Sequence, residues 1–315
     1  MSNQTLPAAG TPAGGVPAVL RSALATAVVV PVVPLQQDGN PDWDTYAALI
    51  SRLIDGGITV ITPNGNTGEF YALTPAEARR AVETAAKAAG GRAELLAGVG
   101  HDIASAADAA RHAAEHGARM VMVHQPVHPY VSAQGWVDYH AAIAEAVPDL
   151  GVVLYVRTER VTGADIAALA DRAPNVVGVK YGVRDAVRFA AVARDAGIGR
   201  LAWLAGAAEL TAPMFWAAGA RGFTSGLANV SPQLALSMLD ALRAGDFGAA
   251  MRVWETVRRF EELRAADASA DNVSVVKEAL AQLGLCRADV RPPSRPLPPQ
   301  IKAEIAGILR AWGLA

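Results

Sequence analysis

Short apolar runs alternate with amphipathic segments between residues 26 and 226 of the chain. Eight of these runs predict strands: TAVVVPVV (26–33), ITVITP (58–63), ELLAGVG (94–100), RMVMVH (119–124), GVVLYV (151–156), NVVGVK (175–180), LAWLAG (201–206) and RGFTSG (221–226). The runs are continuously apolar, which is typical of parallel strands covered on both faces. Helical periodicity between them predicts helices over 42–55, 75–89, 103–116, 134–146, 164–173 and 185–196.

Eight strands that each precede a helix predict an α/β fold, a (β/α)8 TIM barrel over residues 21–245. Residues 246–315 predict a C-terminal three-helix extension, with helical patterns over 246–265, 271–283 and 299–312. Residues 1–20 are rich in Pro, Gly and Ala without periodicity, and we expect a disordered N-terminal tail there. No GxGxxG pattern opens a helix after the first strand, which argues against a dinucleotide-binding fold.

Composition narrows the classes of partner. The 315 residues carry a formal net charge of −2, which gives no electrostatic footprint for nucleic acid or an anionic membrane. The single cysteine, Cys286, excludes an intrachain disulfide and a thiolate zinc site and indicates a reducing compartment. The apolar run Ala23–Leu35 is too short to span a bilayer, and no basic segment marks it as a signal peptide. We therefore expect a cytoplasmic protein with a small-molecule partner.

One predicted strand, NVVGVK, ends on Lys180. Only four of the 28 basic residues are lysines, and the other three, Lys87, Lys277 and Lys302, lie in helical patterns with polar faces. Side chains at the carboxyl ends of barrel strands point into the active-site mouth. Burial there lowers the pKa of a lysine amine and lets it condense with a ketone. The alternative is an ion-paired or snorkelling lysine, and position alone favours neither.

Other strand ends place polar groups at the same rim. Tyr155, near the end of the fifth predicted strand, could relay protons in imine chemistry or pack as an aromatic at the barrel top. The loop after the second strand, PNGNTGEF (63–70), could offer Asn66, Thr67 and the Gly68 N–H to the carboxylate of a 2-oxo acid. A simple turn is the alternative for this loop.

Together these motifs resemble the dihydrodipicolinate synthase/N-acetylneuraminate lyase family of the class I aldolase superfamily. The resemblance rests on GNTGEFYALTPAE (65–77), VVLYVR (152–157), NVVGVK (175–180), TSGLANVSP (224–232), VVKEALAQLG (275–284) and VRPP (290–293). It implies a (β/α)8 barrel with a three-helix extension, a Schiff-base mechanism without metal or other cofactor, a 2-oxo acid substrate and commonly a homotetramer. By motif position it implies that Lys180 forms the imine, that Tyr155 shuttles protons, and that Asn66 and Thr67 hold the substrate carboxylate.

Several of the motifs are closer to 5-dehydro-4-deoxyglucarate dehydratases than to the synthases, notably VKYGVRD, VRPP and Arg157 two residues after the tyrosine. Asn66 departs from both subgroups, and His128 stands near the place where synthases supply a second tyrosine. The resemblance therefore favours a dehydratase or aldolase acting on a keto-deoxy sugar acid. The alternatives are a 4-hydroxy-tetrahydrodipicolinate synthase, which condenses pyruvate with an aldehyde, and a non-catalytic ligand-sensing barrel.

Arg157 and Arg160 could form a fork on the distal carboxylate of a dicarboxylic sugar acid, or lie in a surface loop. Ser225 and Asn229 could bind substrate hydroxyls, although Asn229 could instead cap the following helix. Gly206 and His128 complete the set of substrate-binding candidates on the rim.

His112 and His116 have the i,i+4 spacing of helical metal ligands. The sequence shows no third ligand, and we expect a solvated helix face there rather than a metal site.

Overall fold

The computed structural model describes residues 16–315, which form eight strands and twelve α-helices. The strands are β1 (Ala27–Val29), β2 (Val60–Ile61), β3 (Glu94–Val99), β4 (Met120–Val123), β5 (Gly151–Val156), β6 (Val176–Tyr181), β7 (Ala202–Ala205) and β8 (Gly222–Ser225). The helices are α1 (Val16–Ala23), α2 (Trp43–Asp55), α3 (Pro75–Ala89), α4 (Ile103–Glu115), α5 (Ala133–Ala146), α6 (Gly163–Arg172), α7 (Ala186–Asp195), α8 (Ala212–Ala218), α9 (Pro232–Arg243), α10 (Phe247–Ser269), α11 (Asn272–Gln282) and α12 (Pro299–Ala311).

The eight strands are parallel and hydrogen-bonded in chain order, and β8 pairs with β1 to close a barrel. Helices α2 to α9 follow the strands one by one, so the predicted (β/α)8 barrel is confirmed. Apolar side chains fill the barrel interior, among them Val28, Leu96, Met120 and Val153. A larger apolar layer lies between the strands and the surrounding helices. Both faces of each strand are therefore covered, which is why the strands read as continuous apolar runs.

The amino end of the barrel is covered by α1, part of which was predicted to be a disordered tail. Residues 16–20 are helical, and Leu20 and Leu24 are buried against the barrel interior beside Val28 and Val177. The segment is rich in Pro and Ala, so its sequence did not indicate that the two leucines are buried. Their burial offsets the conformational entropy lost when the segment is ordered. Residues 1–15 of the predicted tail lie outside the described residues.

Helices α10 to α12 follow the barrel. The inner face of α10 buries Val257 and Phe260, and Trp254 donates a hydrogen bond to the Leu210 carbonyl of the barrel. Toward its end α10 is interrupted, and Asp267 and Ala268 have positive φ angles of 47° and 53°. Within residues 16–315, no helix combines the length and the apolar character that crossing a membrane would require.

A buried ion pair joins α11 to the loop after β2. Lys277 is fully buried and donates to the Glu69 carboxylate and to the Asp289 carbonyl, at 2.9 Å for the latter. The other oxygen of Glu69 accepts from the Arg291 N–H at 3.0 Å. The expectation that Lys277 lies on a polar helix face is therefore wrong, because the sequence pattern could not show that α11 packs against this loop.

Replacing Lys277 by methionine should destabilise the fold, because the Glu69 carboxylate would remain buried without its cation. Breaking such a pair costs about 3–5 kcal/mol, and we expect urea titration to show a loss of this order in the free energy of unfolding. Lys302→Met is the matched control, because Lys302 pairs with Glu278 at 3.1 Å while 41% exposed. Its expected cost is below about 1 kcal/mol. Similar losses in the two variants would contradict this account.

Candidate active site

A cavity of about 730 Å³ opens at the carboxyl ends of the strands. Its walls come from the ends of β5 to β8, the loop after β2, and the ends of α10 and α11. The predicted site residues that line it are Asn66, Thr67, Tyr155, Arg157, Lys180, Gly206 and Ser225. The predicted residues Gly68, His128, Arg160 and Asn229 are not among its lining residues.

Lys180 and Tyr155 are direct neighbours across β5 and β6. They are register partners in the parallel pair, so both side chains point into the barrel. The Lys180 Nζ lies 4.1 Å from the centroid of the Tyr155 ring, and the two residues are 4% and 7% exposed. The lysine amine therefore lies against an aromatic face in a nearly dry part of the cavity.

The pKa of Lys180 is lowered to about 7, mainly by burial and in addition by the positive charges of Arg157 and Arg264. The pKa of Tyr155 is raised, mainly by burial, and the charge of Arg157 partly opposes this shift. Near neutral pH the amine is thus substantially unprotonated while the phenol keeps its proton. A nucleophile and a proton donor lie side by side.

The loop after β2 forms a tight 3₁₀ turn over Asn66–Gly68. A Cβ at Gly65 would lie 2.5 Å from a Val30 methyl carbon, and one at Gly68 would lie 2.8 Å from the Pro31 carbonyl oxygen. Gly68 donates its N–H to the Gly65 carbonyl at 2.9 Å. Its role is to pack the loop against the segment after β1, whereas Asn66 and Thr67 face the cavity.

At the ends of β7 and β8, Gly206 and Ser225 line the cavity. A Cβ at Gly206 would lie 2.7 Å from the Tyr181 carbonyl, so glycine keeps the end of β7 close to β6. The Ser225 hydroxyl donates to Glu209 at 2.6 Å and accepts from the Ala228 N–H. Glu209 is fully buried, and burial together with the charge of Glu261 raises its pKa to about 8.

The side chain of Asn229 makes hydrogen bonds to the barrel backbone and does not line the cavity. Its Nδ2 donates to the carbonyls of Val30 and Gly226, at 2.9 and 3.0 Å, and its Oδ1 accepts from the Val32 N–H at 3.1 Å. These bonds tie the end of β8 to the segment after β1. The cap of α9 is instead Ser231, whose hydroxyl accepts from the Leu234 N–H.

Three predicted residues lie toward the surface. Arg157 is exposed but lines the cavity, with its guanidinium carbon 5.9 Å from the Tyr155 ring centroid. Arg160 is exposed and lies outside the cavity lining. His128 is exposed in the loop after β4, where its Nδ1 contacts the backbone of Tyr130. Of the two predicted arginines, only Arg157 reaches the cavity.

The C-terminal helices supply cavity residues that were not predicted from the sequence. Glu261 and Arg264 of α10 and Asn272 of α11 line the cavity. Glu261 and Arg264 follow the buried Val257 and Phe260 at the i, i+3, i+4, i+7 spacing of one helix face. Two charged residues on an otherwise apolar helix face could have indicated a functional site, because charges are rarely buried without a partner or a function.

On the outer helical layer of the barrel, α3 and α4 bring Glu83, His112 and His116 together. Their potential ligand atoms all lie within 4.8 Å of one another. Glu83 is the third residue that the sequence pattern did not show. These side chains could hold a metal ion, and they belong to the middle of α3 and the end of α4, away from the cavity lining.

Comparison with known proteins identifies the family of the chain. The dihydrodipicolinate synthetase family matches residues 23–312. A 4-hydroxy-tetrahydrodipicolinate synthase of Phenylobacterium zucineum is 33% identical, over 91% of this chain and 97% of its own. A protein of Rhizobium rhizogenes named "Probable 5-dehydro-4-deoxyglucarate dehydratase" is 30% identical, over 89% of this chain and 92% of its own.

A crystal structure of dihydrodipicolinate synthase from Oceanobacillus iheyensis superposes with a TM-score of 0.91 at 38% sequence identity. The match covers 95% of this chain and 100% of that one. The similar proteins thus carry the names of both a synthase and a dehydratase. The chain belongs to the dihydrodipicolinate synthetase family, and with it to the lyases.

Proposed function

We propose that the protein is a Schiff-base lyase of 2-oxo acids, and that its substrate is a keto-deoxy sugar acid of the 5-dehydro-4-deoxyglucarate type. The observation that carries the proposal is the Lys180 amine, buried 4.1 Å from the Tyr155 ring with a pKa lowered to about 7. A binding module has no need of an unprotonated amine. This pairing therefore favours catalysis over a non-catalytic sensor.

In the proposed reaction, Lys180 Nζ attacks the C2 carbonyl carbon of the substrate and water leaves to give an iminium ion. Loss of a C3 proton gives an enamine, with the electron pair drawn toward the nitrogen. Tyr155 gives and takes back the protons of these steps, because its phenol stays protonated beside the amine. Asn66 and Thr67 hold the C1 carboxylate at the cavity wall.

The same iminium ion can lead to two lyase outcomes. In a dehydratase it loses the C3 proton, and the resulting enamine expels the C4 hydroxyl as water. In an aldolase the C3–C4 bond of the iminium ion breaks instead. The Rhizobium relative supports the dehydratase. The 33% identical synthase from Phenylobacterium supports a second candidate, in which the pyruvate enamine attacks an aldehyde. Product analysis separates these reactions: loss of water from the intact carbon chain, release of pyruvate, or consumption of pyruvate.

Borohydride reduction in the presence of pyruvate tests the shared first step. We expect one covalent adduct per chain by intact mass, mapped to the peptide that contains Lys180. Lys180→Ala and Lys180→Arg should both lose the adduct and turnover, because arginine keeps the charge but cannot form the imine. An adduct at another lysine, or an active Lys180→Arg enzyme, would refute the proposal.

The rate of adduct formation should depend on pH through the Lys180 amine. Because its pKa is about 7, the rate should level off above that pH and fall about tenfold per unit well below it. Arg157→Gln removes a nearby positive charge, which raises the lysine pKa and moves the midpoint to higher pH. Arg160→Gln is the matched control outside the cavity and should leave the midpoint in place. A shift toward lower pH in Arg157→Gln would contradict this electrostatic account.

A further inference from the structure

Arg264 is a cavity arginine that comes from the C-terminal extension rather than from a barrel strand. It lies on α10, is only 6% exposed, and lines the same cavity as Lys180 and Thr67. Its positive charge is one of the causes that lower the pKa of Lys180. The guanidinium therefore belongs electrostatically to the proposed imine site.

The guanidinium is held rigidly by two neighbours. Its Nε and Nη2 donate to the Asn272 Oδ1, at 3.0 and 2.8 Å, and its Nη1 donates to the buried Glu261 carboxylate. Asn272 in turn donates to the Thr67 hydroxyl at 3.5 Å. Arg264 is thereby linked through one side chain to the loop proposed to hold the C1 carboxylate.

Gly226, after β8, makes room for this arginine. A Cβ at position 226 would lie 2.0 Å from the Arg264 Nη2 and 2.5 Å from its guanidinium carbon. The Gly226 φ of −96° is one that any residue adopts, so its backbone conformation does not require glycine. The missing side chain is explained by the space that the guanidinium occupies at the cavity wall.

Two N–H groups of Arg264 remain for a ligand. A guanidinium carries five N–H donors, and the bonds to Asn272 and Glu261 use three of them. One N–H is left on each terminal nitrogen, which matches the two oxygens of a carboxylate. The cavity lining also carries more arginines (Arg157, Arg184, Arg264) than acidic side chains (Glu261, Asp267), which favours an anionic substrate.

We propose that Arg264, seated over Gly226 and fixed by Glu261 and Asn272, binds a second carboxylate at the end of the substrate remote from its 2-oxo group. The inference rests on the proposed function, whose 5-dehydro-4-deoxyglucarate-type substrate is a diacid, and it assigns the residue that binds the distal carboxylate. Arg264 takes the role that the sequence offered to Arg157 and Arg160, because Arg160 lies outside the cavity lining and Arg157 lies toward solvent.

The test compares two six-carbon 2-oxo acids that differ only at the far end, 2-oxoadipate with a carboxylate and 2-oxohexanoate with a methyl group. Calorimetry should show that the wild-type protein binds 2-oxoadipate more tightly. Arg264→Gln should weaken binding of 2-oxoadipate by about tenfold or more relative to 2-oxohexanoate, the usual effect of losing hydrogen bonds to a charged group. The accompanying change in the Lys180 pKa acts on both acids alike. Arg258→Gln, an exposed arginine on the same helix, is the matched control and should bind both acids like the wild type.

Gly226→Ala is a second variant that keeps every charge. Its new methyl group should displace the guanidinium and reproduce the Arg264→Gln selectivity, and the double variant should lose no more than either single one. Equal weakening of both acids, or no weakening of 2-oxoadipate, in folded Arg264→Gln and Gly226→Ala would overturn the proposal.

Borohydride trapping of pyruvate reports separately on the proposed function, because pyruvate has no distal end. Its failure in the wild type would refute imine formation, while the calorimetric comparison would still decide the subsite.

Discussion

The desolvation of one lysine amine is the constraint on which the rest of the site depends. Lys180 lies at the end of β6 with its Nζ against the Tyr155 ring, and the described residues give it cationic rather than anionic neighbours. Burial without a carboxylate disfavours the ammonium form, which would cost stability in an ordinary barrel. The proposed imine chemistry depends on the same burial, because the lowered pKa leaves the amine unprotonated at neutral pH.

The C-terminal helices contribute more to the cavity than the sequence pattern suggests. Lys277 anchors α11 to Glu69 of the loop after β2, and Asn272 connects that helix to Thr67 and Arg264. The loop proposed to hold the substrate carboxylate is thus supported from outside the barrel. A change in the packing of α10 or α11 would move both ends of the proposed substrate site together.

The part of this site that the sequence predicts is the part built by strands. Lys180 and Tyr155 could be placed at one rim because apolar runs reveal barrel strands and because parallel strands end on the same side. Arg264, Glu261 and Lys277 could not be placed, since their positions follow from how α10 and α11 pack on the barrel.

The remaining predicted residues lie beside the cavity or on exposed loops rather than in its lining. Asn229 and Gly68 stand in motifs beside the cavity, but their hydrogen bonds are made to the backbone of the barrel and the loop. His128 and Arg160 lie on exposed loops, whose course a periodic pattern does not specify.

Direct titration of the Lys180 amine tests whether burial lowers its pKa in the folded protein. The chain has only four lysines, so NMR of protein labelled at the lysine ε position can resolve Lys180, with Lys180→Arg assigning its signal. We expect a titration midpoint near 7 in the folded protein, with no substrate added. A midpoint near the ordinary lysine value of 10.5 would contradict it.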